Sequence, residues 1–162
     1  MELLKKIGKF QAVMWSIALP GFSQLLTGQY YKGTLYVLTE ILINVYSHFN
    51  TAIMYSYLGE FAKAEEVINY QWLLFYACLY FFAMWDAYQY EMPASEELSF
   101  LPFLSAAAFV TLGLIYSSKI KLFGHTLGPV FMPMMFVVPG VGIGFIVRYL
   151  ILKLTPEKQS YS

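Results

Sequence analysis

Apolar side chains run along this chain in five long stretches, separated by short polar or glycine-marked connections. The stretches cover Phe10 to about Thr27, Thr34 to about Leu58, Trp72 to about Tyr88, Phe100 to about Ser117 and Val130 to about Leu154. A helix needs about 20 residues, usually about 17–25, to cross the hydrocarbon of a bilayer. The middle three read as full spans. The fifth is long enough and carries Pro133 and Pro139, which predict kinks. The first is short, is broken by Pro20-Gly21 and carries Gln11 and Gln24. The expected fold is therefore all-α: a polytopic membrane helical bundle of four full spans plus a short kinked or re-entrant N-terminal helix. It forms a single membrane domain over residues 1–162, with a hairpin module over 10–90 and a C-terminal helical pair over 100–154.

The connections sharpen this reading. "GQYYKG" allows only a tight helical hairpin. "GEFAKAEEVINYQ" places Leu58, Phe61, Ala64 or Glu65, and Ile68 close to helical spacing, which predicts a short amphipathic helix on the surface, the alternative being a solvated loop. "EMPASEELS" reads as an acidic turn in which Pro93 stops one helix and Ser95 caps the next, with Glu96 and Glu97 in its first turn. "SSKIKLFGHTLGP" is a basic, glycine-punctuated connection, and "TPEKQSYS" a polar tail. "MELLKKIGKF" has the basic start of a signal peptide, but no small-x-small cleavage pattern follows, so an uncleaved first membrane segment is expected.

Composition points the same way. Apolar residues make up 59% of the 162 residues and charged residues 12%, against about 45–50% and about 25% in soluble domains. Ten basic residues balance ten acidic ones, so no net charge invites nucleic acid. The single cysteine, Cys78, lies mid-run and reads as a small buried hydrophobe. His48 and His125 are isolated, and no Cys/His spacing suits zinc. Lys and Arg set orientation. A re-entrant first segment puts Lys5, Lys6, Lys9, Lys32, Arg148, Lys153 and Lys158 on one side, seven against three; a full span gives six against four. Both place the N-terminus in the cytoplasm.

The polar interruption "LPGFSQLLTGQYYKG" raises the sharpest local question. Proline removes a backbone donor and glycine permits close approach, so Pro20-Gly21 should bend the first helix, while Gly28 and Gly33 bracket a reversal. The stretch resembles the signature of the two-transmembrane-helix domain family and its small bacterial relatives: Pro-Gly-x-x-Gln at Pro20, Gly21 and Gln24, then Gly-x-x-x-x-Gly at Gly28 and Gly33. A later "MWDAYQY", with Trp85, Asp86, Ala87 and Tyr88, extends the likeness over about residues 10–90. Ser23 stands where a glycine is usual, and Gln29-Tyr30-Tyr31 replaces the Asp-Arg-Phe turn of the animal members. The resemblance implies a membrane hairpin module and no catalytic residues. "VVPGVGIGFIVRY" echoes the spacing, Pro139 to Tyr149 matching Pro20 to Tyr30, which raises an internal duplication as a minor alternative.

Candidate chemistry is sparse. Glu40, Asn44 and His48 recur every four residues and would form one polar stripe along the second segment, with Asp86 as a further member of an intramembrane network. The stripe reads as a proton, cation or ligand path, or as interhelical hydrogen bonding. Asp86 could pair with Lys32 if the third helix ends beside the "GQYYKG" turn. Gly140 and Gly144 form a GxxxG packing face, Ser105–Phe109 is a similar small-residue patch, and Arg148 and Lys153 read as interfacial anchors. No catalytic constellation, metal motif or cofactor loop is present in the sequence. The expected role is a helix-packing interaction or scaffold protein of the cell membrane, whose partners are the lipid bilayer and either further copies of itself or a larger membrane protein. The alternative is a small transporter or channel subunit using the polar stripe.

Overall fold

The computed structural model describes residues 8–90, 97–122 and 124–155. Its elements are α1 (Lys9–Ala18), α2 (Phe22–Leu26), α3 (Tyr30–Ser47), α4 (Phe49–Tyr57), α5 (Phe61–Val67), α6 (Tyr70–Tyr90), α7 (Leu101–Ile115), β1 (Lys121–Leu122), β2 (His125–Thr126) and α8 (Gly128–Leu154). The bundle is helical as expected. Within this all-α fold the basic connection after α7 closes on itself, β1 and β2 pairing antiparallel over two residues each with Lys121 opposite Thr126 and Leu122 opposite His125. Gly124, at φ +85, supplies the left-handed residue that so tight a reversal needs. The acidic turn expected at Pro93, Ser95 and Glu96 lies outside the described residues. Downstream of it, Phe100 precedes the first turn of α7, and Pro102 sits where a missing N–H costs nothing.

The long helices alternate in direction between two ends of the bundle. α3 runs antiparallel to α6, with Tyr36 against Phe82 at one end and Tyr46 stacked on Trp72 at the other. α7 returns along α6, since Trp85 meets Phe100 at one end and Tyr70 meets Ser117 at the other. α8 returns along α7. Its glycines set the approach: a Cβ on Gly144 would lie 2.4 Å from Pro102 Cα, one on Gly140 2.9 Å from Ala106 Cα, and one on Gly113 of α7 2.7 Å from Pro133 Cα. The GxxxG face and the small patch at Ser105–Phe109 are thus spent on each other within one chain. The end marked by Lys32, Asp86, Glu97 and Arg148 is called the Asp86 end below. The other is marked by Ser47, Asn69, Ser117 and Gly128.

Three expectations need correction. The second apolar stretch is not one helix. It breaks at His48, which adopts the left-handed conformation at φ +56, one of the few non-glycine residue types that visit it readily. Asn44 Oδ1 accepts from the Asn50 N–H across the break at 3.3 Å, and Asn69 N–H donates to the stranded Ser47 carbonyl at 2.9 Å. These polar partners let α4 turn away and carry Tyr57 onto Phe131 of α8. Next, Cys78 is exposed rather than buried, because it stands on the side of α6 that opens between α6 and α7. Last, the two Pro-Gly pairs are not equivalent. Gly21 has φ +95 and ends α1, whereas Pro139-Gly140 lies inside continuous α8. α8 runs through both Pro133 and Pro139 as one helix.

The short helix expected after the second stretch is present as α5. It buries Ala64 and half-buries Phe61 and Val67, while Ala62, Lys63 and Glu66 face outward. Burial pushes the Glu65 carboxyl above its usual range, and Glu60 holds the exposed Lys63 ammonium above its own by a hydrogen bond and charge. Large apolar side chains remain exposed along the outer faces: Leu35, Leu38, Leu42 and Val45 on α3, and Met134, Val138, Ile146 and Leu150 on α8. α8 is long and apolar enough to cross a membrane, and so are α5 and α6 taken as one broken span bent by 95°.

The glycine contacts give a direct contrast. Gly144→Ala should force α7 and α8 apart and lower the thermal midpoint of the detergent-solubilised protein, at a cost of about 1–3 kcal/mol. Gly142→Ala, with nothing within 4 Å of its added Cβ, should be neutral or stabilising by up to about 1 kcal/mol through helix propensity. Equal midpoints for the two variants, read by size-exclusion thermostability, would contradict the packing described.

Candidate functional site

The most organised polar site is built around the first bend. Pro20 lacks an N–H, Leu19 is extended and Gly21 is left-handed, so α1 must stop. The Ile17 carbonyl, which a continuing helix would have paired with the Gly21 N–H, accepts instead from the Tyr80 hydroxyl of α6. α1 lies antiparallel on the second half of α6, Ala12 against Ala87 and Ile17 at the level of Tyr80. α2 comes back along the same surface. Leu26 packs on Ala12 and Ala87, and Gln24, fully buried, donates through Nε2 to the Ala83 carbonyl at 2.9 Å and to Asp86 at 3.2 Å. Two acceptors facing one nitrogen also fix which end of this amide is which. The segment therefore enters at the Asp86 end, goes as deep as Tyr80 and returns to the end it left.

Gly28, at φ +84, closes the reversal into α3. The first turn of α3 then packs on the bend. A Cβ on Gly21 would lie 2.5 Å from the Gly33 carbonyl oxygen, and one on Gly33 2.8 Å from the Gly21 carbonyl oxygen. With Gly33 seated, Lys32 reaches Asp86 at 2.9 Å. Asp86 is 13% exposed and Lys32 57%, so the carboxylate is held inside the turn while its cation stays at the rim. Gln24 Oε1, Ser16 Oγ and Ser23 Oγ are buried here without a partner among the described residues.

Of the motif residues, the structure thus joins Pro20, Gly21, Gln24, Gly28, Gly33 and Asp86 in one junction. Trp85 and Tyr88 belong elsewhere: Trp85 packs on Phe82 and Phe100, and Tyr88 on Phe103. The intramembrane network of Glu40, Asn44, His48 and Asp86 does not form. Asp86 binds Gln24 and Lys32 at its own end of the bundle. Glu40 lies half-buried at mid-height, near enough to Tyr76 and Tyr80 to interact with their hydroxyls electrostatically. Asn44 bridges the break, and His48 is exposed on it. Glu40 and Asn44 remain one turn apart on α3, the break takes up Asn44 and His48, and Asp86 stands apart from them at its own end. At the Asp86 end Arg148 donates from Nε to the Glu97 carbonyl at 3.0 Å, while Lys153 lies over the Tyr149 ring at the helix terminus.

Tyr80 was not singled out by the sequence, although with Ala83 and Ala87 it marks one face of α6 at helical spacing. Nor was an open groove of about 660 Å³ walled by α1, α4, α6, α7 and α8. A second, of about 590 Å³, lies between α6 and α7 beside Cys78 and Trp85. Among the described residues no group of three or more His, Cys, Asp or Glu is placed to hold a metal. Compared with known proteins, the chain matches no family model, no curated relative and no solved structure.

Two sets of variants test the junction. Gly21→Ala combines an unfavourable φ with a backbone clash and should cost at least about 1–3 kcal/mol, more than Lys32→Ala, an exposed cation whose pair contributes about 0.2–1 kcal/mol. Asp86→Lys and Lys32→Asp should each lower the thermal midpoint, and the double swap should recover part of the loss. A double variant no better than the sum of the singles would mean that the 2.9 Å contact carries no energy.

Proposed function

We propose that this chain is a small integral protein of the cytoplasmic membrane that acts by helix packing, as an interaction or scaffold module rather than as an enzyme. In this reading α3, α6, α7 and α8 are the four full spans, and α1–α2 is a re-entrant hairpin opening on the cytoplasmic side. The observation that carries it is the outer surface. Leu35, Leu38, Leu42, Val45, Met134, Val138, Ile146 and Leu150 are exposed on opposite flanks of the bundle, far more apolar surface than water tolerates on a monomer. The charges support it: Lys9, Lys32, Arg148 and Lys153 gather at the Asp86 end, and the flanking Lys5, Lys6 and Lys158 bring the sequence count to seven against Lys63, Lys119 and Lys121. The motif resemblance to the two-transmembrane-helix domain family fits the same hairpin, since its shared residues are the ones that make the junction. A conducting route along Glu40, Asn44, His48 and Asp86 has no such support, because Asn44 accepts from the Asn50 N–H at the break and Asp86 is held by Gln24 and Lys32 at the other end of the bundle.

The test is topological. In a Cys78→Ser background, cysteines placed singly at Lys32, Lys119 and Lys153 are reacted with a membrane-impermeant maleimide. Lys119→Cys should label in intact cells, and Lys32→Cys and Lys153→Cys only after permeabilisation. Labelling of positions 32 and 153 from opposite sides would remove the four-span bundle, and labelling of both in intact cells with the N-terminus still inside would remove the re-entrant hairpin. Release of the protein from membranes by alkaline carbonate would remove the integral reading altogether.

A further inference from the structure

Glu40 is an acidic residue that the bundle leaves without a partner at mid-height. Tyr36 on Phe82 and Tyr46 on Trp72 fix the register of α3 against α6. Glu40, between those two contacts, falls at the level of Cys78. Its carboxylate makes no hydrogen bond and no ion pair with any described residue. The cation nearest along the chain, Lys32, stands two turns away on the same helix and is held by Asp86. An ionisable group at membrane depth is costly to keep, and one that is kept marks a ligand or a pathway.

The surroundings limit what can answer this charge. Tyr76 and Tyr80 feel it; they stack on each other at 5.5 Å, and Phe49 leans on Tyr76 at 5.1 Å. The Tyr80 hydroxyl is already spent on the Ile17 carbonyl. The hairpin reaches only to the level of Tyr80, so Glu40 lies just beyond its tip. Tyr76, Tyr80 and Phe49 also line the larger groove, whose 660 Å³ is room for a small organic molecule. A divalent metal ion would need about six oxygen ligands or more, which one carboxylate and its tyrosine neighbours do not supply. An ammonium or guanidinium from another helix would bring several N–H donors, and those the carboxylate could not accept would be buried bare among rings. A quaternary ammonium or phosphonium has no N–H to satisfy. It needs only the opposite charge, and aromatic rings suit both its charge and its apolar substituents. We infer that Glu40 binds a lipophilic quaternary cation taken from within the bilayer, its charge at the carboxylate and its substituents against Tyr76, Tyr80 and Phe49. The inference rests on the membrane reading above and goes beyond it by giving the bundle a small-molecule ligand.

The experiment uses the full chain in mild detergent with tetraphenylphosphonium as the probe, read by equilibrium dialysis. The wild type should show saturable binding. Glu40→Gln, which keeps the shape and removes the charge, should weaken it about tenfold or more. Glu66→Gln, on the outward face of α5, should leave it unchanged. Tyr76→Phe, which keeps the ring, should bind as the wild type does, and Tyr76→Leu more weakly. Should Tyr76→Leu fail to give a monodisperse protein, Phe49→Leu removes a ring from the same site. Benzyltrimethylammonium should displace the probe, whereas benzylammonium at the same concentration should not. Absence of saturable binding by the wild type, or equal affinity of the wild type and Glu40→Gln, overturns the inference. Equal displacement by the two benzyl cations overturns the choice of a ligand without N–H groups. Release of the wild type by alkaline carbonate would remove the membrane reading and this inference with it. A protein that stays in the bilayer but binds no tetraphenylphosphonium overturns this inference alone.

Discussion

Backbone that turns back inside a helical bundle must find hydrogen-bond partners outside its own helix, and the bend at Pro20-Gly21 finds them on α6. Tyr80 covers the freed Ile17 carbonyl, and Gln24 ties the returning arm to the Ala83 carbonyl and to Asp86. Each such bond is worth only about 0.5–1.5 kcal/mol net, yet leaving the group bare and buried costs more. The rest of the N-terminal half follows from this. α1 and α2 lie on α6 because their polar groups are satisfied there, and α3 starts where Gly21 and Gly33 let two backbones meet.

The same logic of backbone accommodation recurs at the other joints with different chemistry. At His48 the chain changes direction without glycine or proline. Asn44 supplies an acceptor to Asn50, and Asn69 supplies a donor to Ser47. Along α7 and α8 there is no polar device at all. Gly113, Gly140 and Gly144 bring the helices so close that backbone and ring atoms fill the seam, which holds the two together without sealing the space on their far side. The groove is the result: α7 and α8 press together, α1 and α4 each cover only part of α6, and the wall between them stays open.

This arrangement separates the two parts of the molecule by role. The Gln24–Asp86–Lys32 junction is a closed structural joint, with its carboxylate paired and its amide donor used. The groove is open and mostly apolar, with Arg148 at one extremity. Polar groups are dense where backbone must turn and scarcer along the groove.

Much of this was written in the one-dimensional pattern. Long apolar runs announce helices because only a helix pairs all its own backbone groups. The Pro20-Gly21 bend, the surface helix at Phe61–Val67 and the packing use of Gly140 and Gly144 are local consequences of residue type, so they are legible without coordinates. The pairing of Lys32 with Asp86 could be posed as a question, since it depended only on which end α6 reaches. What the pattern could not decide was anything requiring two distant elements at once. The break at His48 depends on Asn69 arriving to take a carbonyl, so the spacing of Glu40, Asn44 and His48 did not show that the helix stops at its last member. The exposure of Cys78, the role of Tyr80 and the groove with Arg148 at its mouth arise from helices far apart in sequence. Periodicity reports how one segment treats its surroundings, whereas a cavity is defined by what neighbouring segments leave unfilled.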